Sequence, residues 1–425
     1  MKILTIYEKF KSIGIRQSLF TIIGNLMGTA LSAIAIILFI RIIGPEKYGE
    51  FSVGFAIVLI LTRIIDLGLN TAIVKYAGET KENNNKNFIY SYTLKLKLII
   101  TTILIIIGIL SYKNIATLLN LKEPLIILIS FTFGLATGYY EYLVAILQSQ
   151  HLFGKTVLAN AIQAITKLIA AITLLWLGTH NLIPPYFWYI FAPFIPFFFF
   201  YWLVPKTTKI NLKQKQPILQ KKILLLARHA SIGLISAGII ENIDILFVQK
   251  NLSTYETGLY GGVSRVALFF AIIAYSLGNV LNARVARYKS QDHLAKYLKK
   301  ALILSGLILI SFIIFIPLIK PVILLTIGNE YLAAQNILLI LMASSFFALA
   351  AIPFIALFYA LEADWYFSIS GILQLAIVLI GNIFYVPQMG LEAAAWTRFF
   401  TRLFLLIFTA LIGIIVYKKQ LKNKS

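Results

Sequence analysis

The sequence contains no cysteine and only four histidines in 425 residues. The absence of cysteine excludes disulfides, thiol nucleophiles and cysteine-based metal sites. The histidines, at positions 151, 180, 229 and 293, lack the spacing of metal ligands. The sequence also has neither a Walker A motif nor a G-x-S-x-G turn. We therefore expect a protein that is not an enzyme and that binds no metal or organic cofactor.

Charged residues are also scarce, at 13% of the chain, whereas hydrophobic residues make up 60% and aromatic residues 14%. The mean hydropathy is +0.86. Apolar runs of about 20 residues, long enough to cross a bilayer, recur along the whole chain. Lipid forces each segment to satisfy its own backbone hydrogen bonds. The composition thus predicts an all-α integral membrane protein.

The apolar runs predict about twelve transmembrane helices. Prolines 193 and 196 in the sixth run and Pro353 in the tenth predict bent or broken helices. The predicted spans are 17–40, 51–74, 96–112, 124–148, 157–178, 186–204, 229–249, 259–283, 301–319, 335–360, 366–386 and 393–416.

Basic residues outnumber acidic ones by 38 to 16, and their placement predicts the topology. The N-terminus, alternate connections and the tail after Tyr417 together hold 27 Lys and Arg residues, against six in the other connections. The positive-inside rule then places both termini in the cytoplasm. It also explains the net charge of +22 as a topological signal and a surface for anionic membrane lipids, with no nucleic-acid partner. The expected location is a plasma (bacterial inner) membrane.

The chain divides near its midpoint into two predicted six-helix lobes, 1–204 and 229–425, joined by a basic cytoplasmic linker over 205–228. Segment 39–51 aligns weakly with segment 248–260, and pairs Gly49 with Gly258. The offset of about half the chain is typical of transporters built from duplicated halves.

Nine Asp, Glu, Lys and Arg residues fall inside the predicted spans, with Lys97, at the edge of the third span, counted in the cytoplasmic connection before it. Charges at that depth are expensive and mark polar paths or buried pairs. Arg63 and Asp66, three residues apart on one helical face, predict either an intrahelical pair or a functional site. The nine are Arg63, Asp66, Glu141, Lys167, Glu241, Asp244, Arg265, Arg398 and Arg402.

Two like-charged pairs stand out among them. Glu241 and Asp244 share a helical face, and two carboxylates so close repel each other. We therefore predict that one of them is a coupling site that takes up H⁺ or Na⁺. Arg398 and Arg402 also share a face, and guanidinium groups suit a phosphate or carboxylate. The alternative is that these arginines pair with Glu241, Asp244 or Glu141 across helices.

Several motifs resemble one family. Arg41 to Gly49 reads R-x-[IL]-G-P-E-x-Y-G, and Glu256 to Tyr260 reads E-x-G-L-Y. Asn242-Ile243-Asp244 and the Leu147-Gln148 pair ahead of Phe153 fit the same pattern. The chain resembles the polysaccharide (O-antigen-type) flippases of the multidrug/oligosaccharidyl-lipid/polysaccharide (MOP) exporter superfamily.

The resemblance implies two lobes arranged as a V around a central cavity. It implies that a polyprenyl-pyrophosphate-linked oligosaccharide moves from the cytoplasmic to the outer leaflet by alternating access, for surface polysaccharide biosynthesis. Arg265 and Arg63 match cavity arginines of lipid-linked-sugar flippases, whereas the first span lacks such an arginine. Polysaccharide polymerase machinery is an expected partner.

We assign substrate contacts to one set of residues and possible ion coupling to another. The substrate set is Arg265, Arg63, Arg398, Arg402 and Lys167. The coupling set is Asp66, Glu141, Glu241 and Asp244.

Two alternatives remain open from the sequence. A drug exporter of the same superfamily would favour small cationic substrates and an acidic cavity. A polytopic polysaccharide polymerase or ligase would need a large external loop with catalytic residues, and every predicted external loop is short.

Overall fold

The protein is a bundle of long α-helices in the computed structural model, which describes residues 13–177, 182–268, 291–361 and 365–422. These residues form helices, turns and short irregular connections, with no β-strand among them. The predicted all-α membrane fold class is confirmed.

Sixteen helices, numbered in chain order, are used below. The longest, α1, bends at Gly44, whose φ of 70° and ψ of 173° are not helical. Pro45 follows at once and cannot donate a backbone hydrogen bond. The helices are α1 Ile13–Asp66, α2 Leu69–Ala72, α3 Asn83–Leu118, α4 Leu125–Thr132, α5 Ala136–Ser149, α6 Phe153–Leu177, α7 Ile183–Phe191, α8 Ile195–Phe198, α9 Phe200–Leu203, α10 Pro217–Asn251, α11 254–268, α12 Gln291–Phe315, α13 Ile319–Thr326, α14 Gln335–Ala360, α15 Trp365–Met389 and α16 Leu391–Lys422.

Nine helical segments within the described residues are long and apolar enough to span a membrane. The first of these, Met27–Asp66, covers the first two predicted spans because it includes the bend at Gly44. A shorter apolar segment, Ile183–Phe198, lies where the sixth span was predicted. Residues 269–283 of the eighth predicted span lie outside the described residues. The count of twelve therefore stays a prediction.

The prolines act as predicted in the sixth span. A 3₁₀ turn at Ala192–Phe194 separates α7 from α8, and α9 follows as a further short helix. By contrast, α14 continues through Pro353 as one helix. Proline thus interrupts the helix at residues 193 and 196, whereas the helix continues through Pro353.

The chain separates into two compact units. The first comprises Met1–Ile42, Gly54–Leu118 and Lys122–Ile235, and the second Ile43–Val53, Leu119–Leu121 and Ser236–Ser425. The lobe boundaries given above stay a prediction. Two details differ from that division: residues 43–53 belong to the second unit, and 217–228 of the linker are already helical in α10.

Within the second unit, the two segments of the weak repeat pack against each other. A Cβ atom on Gly49 would lie 2.0 Å from the backbone oxygen of Thr254, and one on Gly258 would lie 1.7 Å from that of Pro45. In the alignment of 39–51 with 248–260, Pro45 corresponds to Thr254 and Gly49 to Gly258. The contact is therefore reciprocal, as in a twofold interface. Small residues allow membrane helices to approach this closely.

Candidate functional site

The charged residues of the first unit form two ion pairs. Arg63 Nη1 lies 3.3 Å from Glu141 Oε2, and Lys97 Nζ lies 3.1 Å from Asp66 Oδ1. The four groups also interact with one another electrostatically. They form a neutral cluster where α1, α3 and α5 meet.

Arg63 and Asp66 do not pair with each other, so the first of the two alternatives for them, an intrahelical pair, is wrong. Asp66 is the last residue of α1, and Leu67 and Gly68 both have positive φ, at 42° and 75°. Asp66 Oδ1 accepts a hydrogen bond from the Asn70 backbone N–H at 3.0 Å, as well as one from Lys97. The Asp66 carboxylate thus contacts the Asn70 backbone and Lys97 of α3, while Arg63 contacts α5.

Lys97 is a site residue that the sequence reasoning missed. It was counted in a cytoplasmic connection, but it lies inside α3 with a fully buried side chain. The buried face of α3 repeats at helical spacing through Tyr90, Thr93, Lys97, Leu104 and Gly108. That spacing was the available signal.

Lys167, in α6, has an aromatic partner rather than a carboxylate. Its Nζ lies 5.2 Å from the centre of the Tyr189 ring in α7. Its side chain is half-buried, and no carboxylate among the described residues lies within 4.0 Å of it. A cation over a ring face is stabilised while it keeps its donors for a ligand.

In the second unit, Asp244 of α10 is fully buried. Its Oδ2 accepts hydrogen bonds from Arg398 Nε at 2.8 Å and from the Tyr260 hydroxyl at 2.7 Å. Arg398 Nη2 lies 2.7 Å from the same oxygen, and Asn382 Nδ2 donates to Oδ1 at 3.1 Å. Arg398 therefore supplies the positive charge that buried Asp244 requires.

Glu241 and Arg402 form a looser pair near Asp244. Arg402 Nη2 lies 3.4 Å from Glu241 Oε1, and the two side chains are 20% and 49% exposed. Arg402 Nη1 also donates to Gln374 Oε1 at 3.3 Å. The structure thus realises the cross-helix alternative for both arginines: each pairs with a carboxylate of α10.

Arg265, in α11, lies beside the hydroxyl of Tyr48. Tyr48 belongs to the GPEKYG turn that follows the bend in α1, and its ring is fully buried. Arg265 itself is half-buried. It forms no ion pair with Glu241 or Asp244, which pair with Arg402 and Arg398.

All four predicted coupling carboxylates are therefore paired with a cation from another helix. The partners are 31 to 161 residues away along the chain. Among the described residues, no group of three or more acidic or histidine side chains is arranged to hold a metal ion.

The family comparison decides the classification. The model of a family described as polysaccharide biosynthesis protein matches residues 15–266, more than half of the chain. The chain belongs to this family. A comparison of its sequence with curated proteins finds no match.

Solved structures establish the fold of this family member. An inward-facing transporter of the multidrug resistance MATE family, in the MOP superfamily, superposes with a TM-score of 0.76 at 14% identity, over 93% of this chain and 96% of that one. The lipid II flippase MurJ, in an inward closed conformation, gives a TM-score of 0.75 at 15% identity, over 94% and 89%.

A third similar structure is a MOP superfamily transporter from Pyrococcus furiosus, described as having a binding pocket of reversed polarity. It gives a TM-score of 0.63 at 16% identity, over 95% of both chains. The predicted resemblance to a polysaccharide family is confirmed by the family match, and the fold is the one found in these MOP superfamily transporters.

Proposed function

We propose that this protein is a flippase that moves a polyprenyl-pyrophosphate-linked oligosaccharide from the cytoplasmic to the outer leaflet by alternating access. The observation that supports this most is the polysaccharide biosynthesis family match on a chain with the fold of MOP transporters. A pyrophosphate and its sugars cannot cross hydrocarbon unaided, because desolvating charged and polar groups is too costly. Moving such a lipid requires a polar path but no covalent chemistry.

The available cations divide into structural and substrate-binding groups. Arg398 is held by Asp244 and by the Glu241 backbone oxygen at 2.8 Å, so we assign it a structural role. Lys167, Arg265 and Arg63 are half-buried and remain the candidates for contact with the pyrophosphate. Arginine binds such an anion bidentately, and lysine binds it as a point charge.

The MATE likeness keeps a drug exporter as the second candidate. A cationic drug needs an acidic group to bind, but each of the four carboxylates of the predicted coupling set already has a cation within 4.0 Å. The pairing therefore favours an anionic substrate.

We propose that ion coupling uses Glu141 and Glu241 rather than Asp66 and Asp244. The two glutamates are part-exposed and paired at 3.3 and 3.4 Å. The two aspartates are buried and held by several donors. An exchangeable H⁺ or Na⁺ needs a carboxylate that water can reach.

We further propose a bacterial inner-membrane location with both termini in the cytoplasm, and polysaccharide polymerase machinery as a partner. The excess of Lys and Arg in alternate connections supports the orientation. The polymerase would consume the lipid-linked sugar that the flippase delivers.

Reconstitution tests the proposal. The purified protein is placed in vesicles that contain a fluorescent polyprenyl-pyrophosphate-linked oligosaccharide, and a membrane-impermeant glycosidase reports the fraction in the outer leaflet. We expect the accessible fraction to rise faster than in protein-free vesicles. Equal rates, together with accumulation of a cationic dye in the same vesicles, would favour the drug exporter.

A further inference from the structure

A polar cavity of about 230 Å³ lies at one end of the first unit. It is enclosed by three segments, 78–87, 149–152 and 205–208. Lys86 and His151 line it from two different segments, and its lining contains no carboxylate. The remaining polar lining consists of amides and hydroxyls. This composition suits an anion.

Two candidate membrane spans meet the cavity at their ends. Leu125–Ser149 ends beside it and Phe153–Leu174 begins beside it. A ligand in the cavity would therefore lie where the hydrocarbon ends. By the distribution of Lys and Arg, this is the predicted cytoplasmic side.

Side-chain hydrogen bonds hold the wall formed by 205–208 in place. Asn87 donates to the Thr207 backbone oxygen at 3.2 Å and accepts from the Lys209 backbone N–H at 3.0 Å. Gln150 Nε2 donates to Thr208 Oγ1 at 3.0 Å. The cavity is thus formed without a ligand, which lowers the cost of binding one.

The size of the cavity restricts the ligand. Pockets for drug-sized molecules begin at about 300 Å³, so this cavity suits a phosphate or pyrophosphate group and not an oligosaccharide. We infer that it binds the phosphate of a membrane lipid headgroup, through Lys86 and His151. The source is either an anionic phospholipid, which is independent of the proposed flipping activity, or the polyprenyl pyrophosphate, which rests on it.

Thermal unfolding of the purified full-length protein in detergent tests this inference. Phosphatidylglycerol, polyprenyl pyrophosphate and inorganic pyrophosphate are added separately, with phosphatidylcholine as the neutral lipid. We expect at least one phosphate-bearing anion to raise the Tm by a few degrees, whereas phosphatidylcholine does not. Stabilisation by phosphatidylglycerol alone identifies a phospholipid site, and stabilisation by either pyrophosphate identifies a pyrophosphate site.

Variants locate the effect. Lys86→Gln with His151→Asn should weaken the apparent affinity at least tenfold; asparagine is chosen because His151 has a φ of 56°, which asparagine tolerates. The control, Lys81→Gln with His229→Asn, makes the same charge change at exposed residues outside the cavity and should bind normally. Lys86→Arg should also bind, which separates loss of charge from loss of folding. The inference is overturned if no phosphate-bearing ligand stabilises the wild type, or if the control pair weakens binding equally.

Discussion

Gly258 leaves no room for a side chain against Pro45: a Cβ atom there would lie 1.7 Å from the Pro45 backbone oxygen. Backbone atoms on both sides of the contact cannot move aside as a flexible side chain would. Gly258→Ala should therefore reduce the stability of the second unit by about 3 kcal/mol, at the upper end of overpacking costs. Thermal unfolding in detergent measures the loss.

Gly233→Ala is the matched control for this change. Gly233 also lies in a membrane helix, α10, but a Cβ atom there would meet nothing within 4 Å. Alanine has a higher helix propensity than glycine, so this variant should be as stable as the wild type or more stable. An equal loss of stability in both variants would contradict the close contact at Pro45.

The buried pair of Lys97 and Asp66 predicts a rescue experiment. Lys97→Met should destabilise the protein by about 3 to 5 kcal/mol, because it leaves the Asp66 carboxylate buried without its counter-charge. Adding Asp66→Asn should recover most of the loss, since asparagine keeps an oxygen for the Asn70 N–H. The abundance and Tm of the single and double variants form the mutant cycle. Additive losses would mean that the two residues do not interact.

Arg398 and Arg402, one helical turn apart, should differ sharply in importance. Arg398→Gln leaves the Asp244 carboxylate buried without its counter-charge and should cost about 3 to 5 kcal/mol of stability. Arg402→Gln should cost at most about 1 kcal/mol, because its partner Glu241 is half-exposed and water can replace the guanidinium. Unfolding of the two variants under identical conditions gives the comparison. A larger effect at Arg402 would contradict the structural role that we assign to Arg398.

Arg265 is expected to contact the pyrophosphate. Arg265→Ala should abolish flipping in the vesicle assay, and Arg265→Lys should retain part of it because lysine keeps the charge but loses the bidentate geometry. The exposed Arg228 supplies a control, and Arg228→Ala should flip normally. Wild-type flipping by Arg265→Ala at normal abundance would exclude this role.

The predicted orientation is tested with reporters. A reporter fused after Ser425 and another inserted at Lys213 should both report the cytoplasm, whereas one at the exposed Lys122 should report the exterior. An external C-terminus would require an odd number of spans and would contradict two equal six-helix lobes.

The sequence was sufficient to predict the fold class because the length of each apolar run can be read from neighbouring residues. The placement of Lys and Arg, which predicts the orientation, is a local signal too. The interruption at prolines 193 and 196 was predicted from a local signal in the same way. The ion-pair partners on different helices could not be identified from local sequence, since Arg398 and Asp244 lie 154 residues apart. Spacing alone suggested the wrong partner for Asp66, because the left-handed residues that end α1 redirect its carboxylate.

Lys97 shows a further limit of sequence reasoning. A lysine at the edge of an apolar run usually marks the membrane surface. Here α3 begins at Asn83, well before the predicted span, so Lys97 lies within the helix and on its buried face. The long polar start of α3 concealed this position.

The pairing of the intramembrane charges bears on the response to membrane potential. Arg63 with Glu141, Lys97 with Asp66, Arg398 with Asp244 and Arg402 with Glu241 are each electrically neutral. One unpaired charge crossing the whole membrane contributes about 2.3 kcal/mol per 100 mV. A pair that moves as one body carries no net charge through the field. Any voltage dependence of flipping therefore comes from charges outside these pairs, such as Arg265, Lys167, the anionic substrate or a coupling ion.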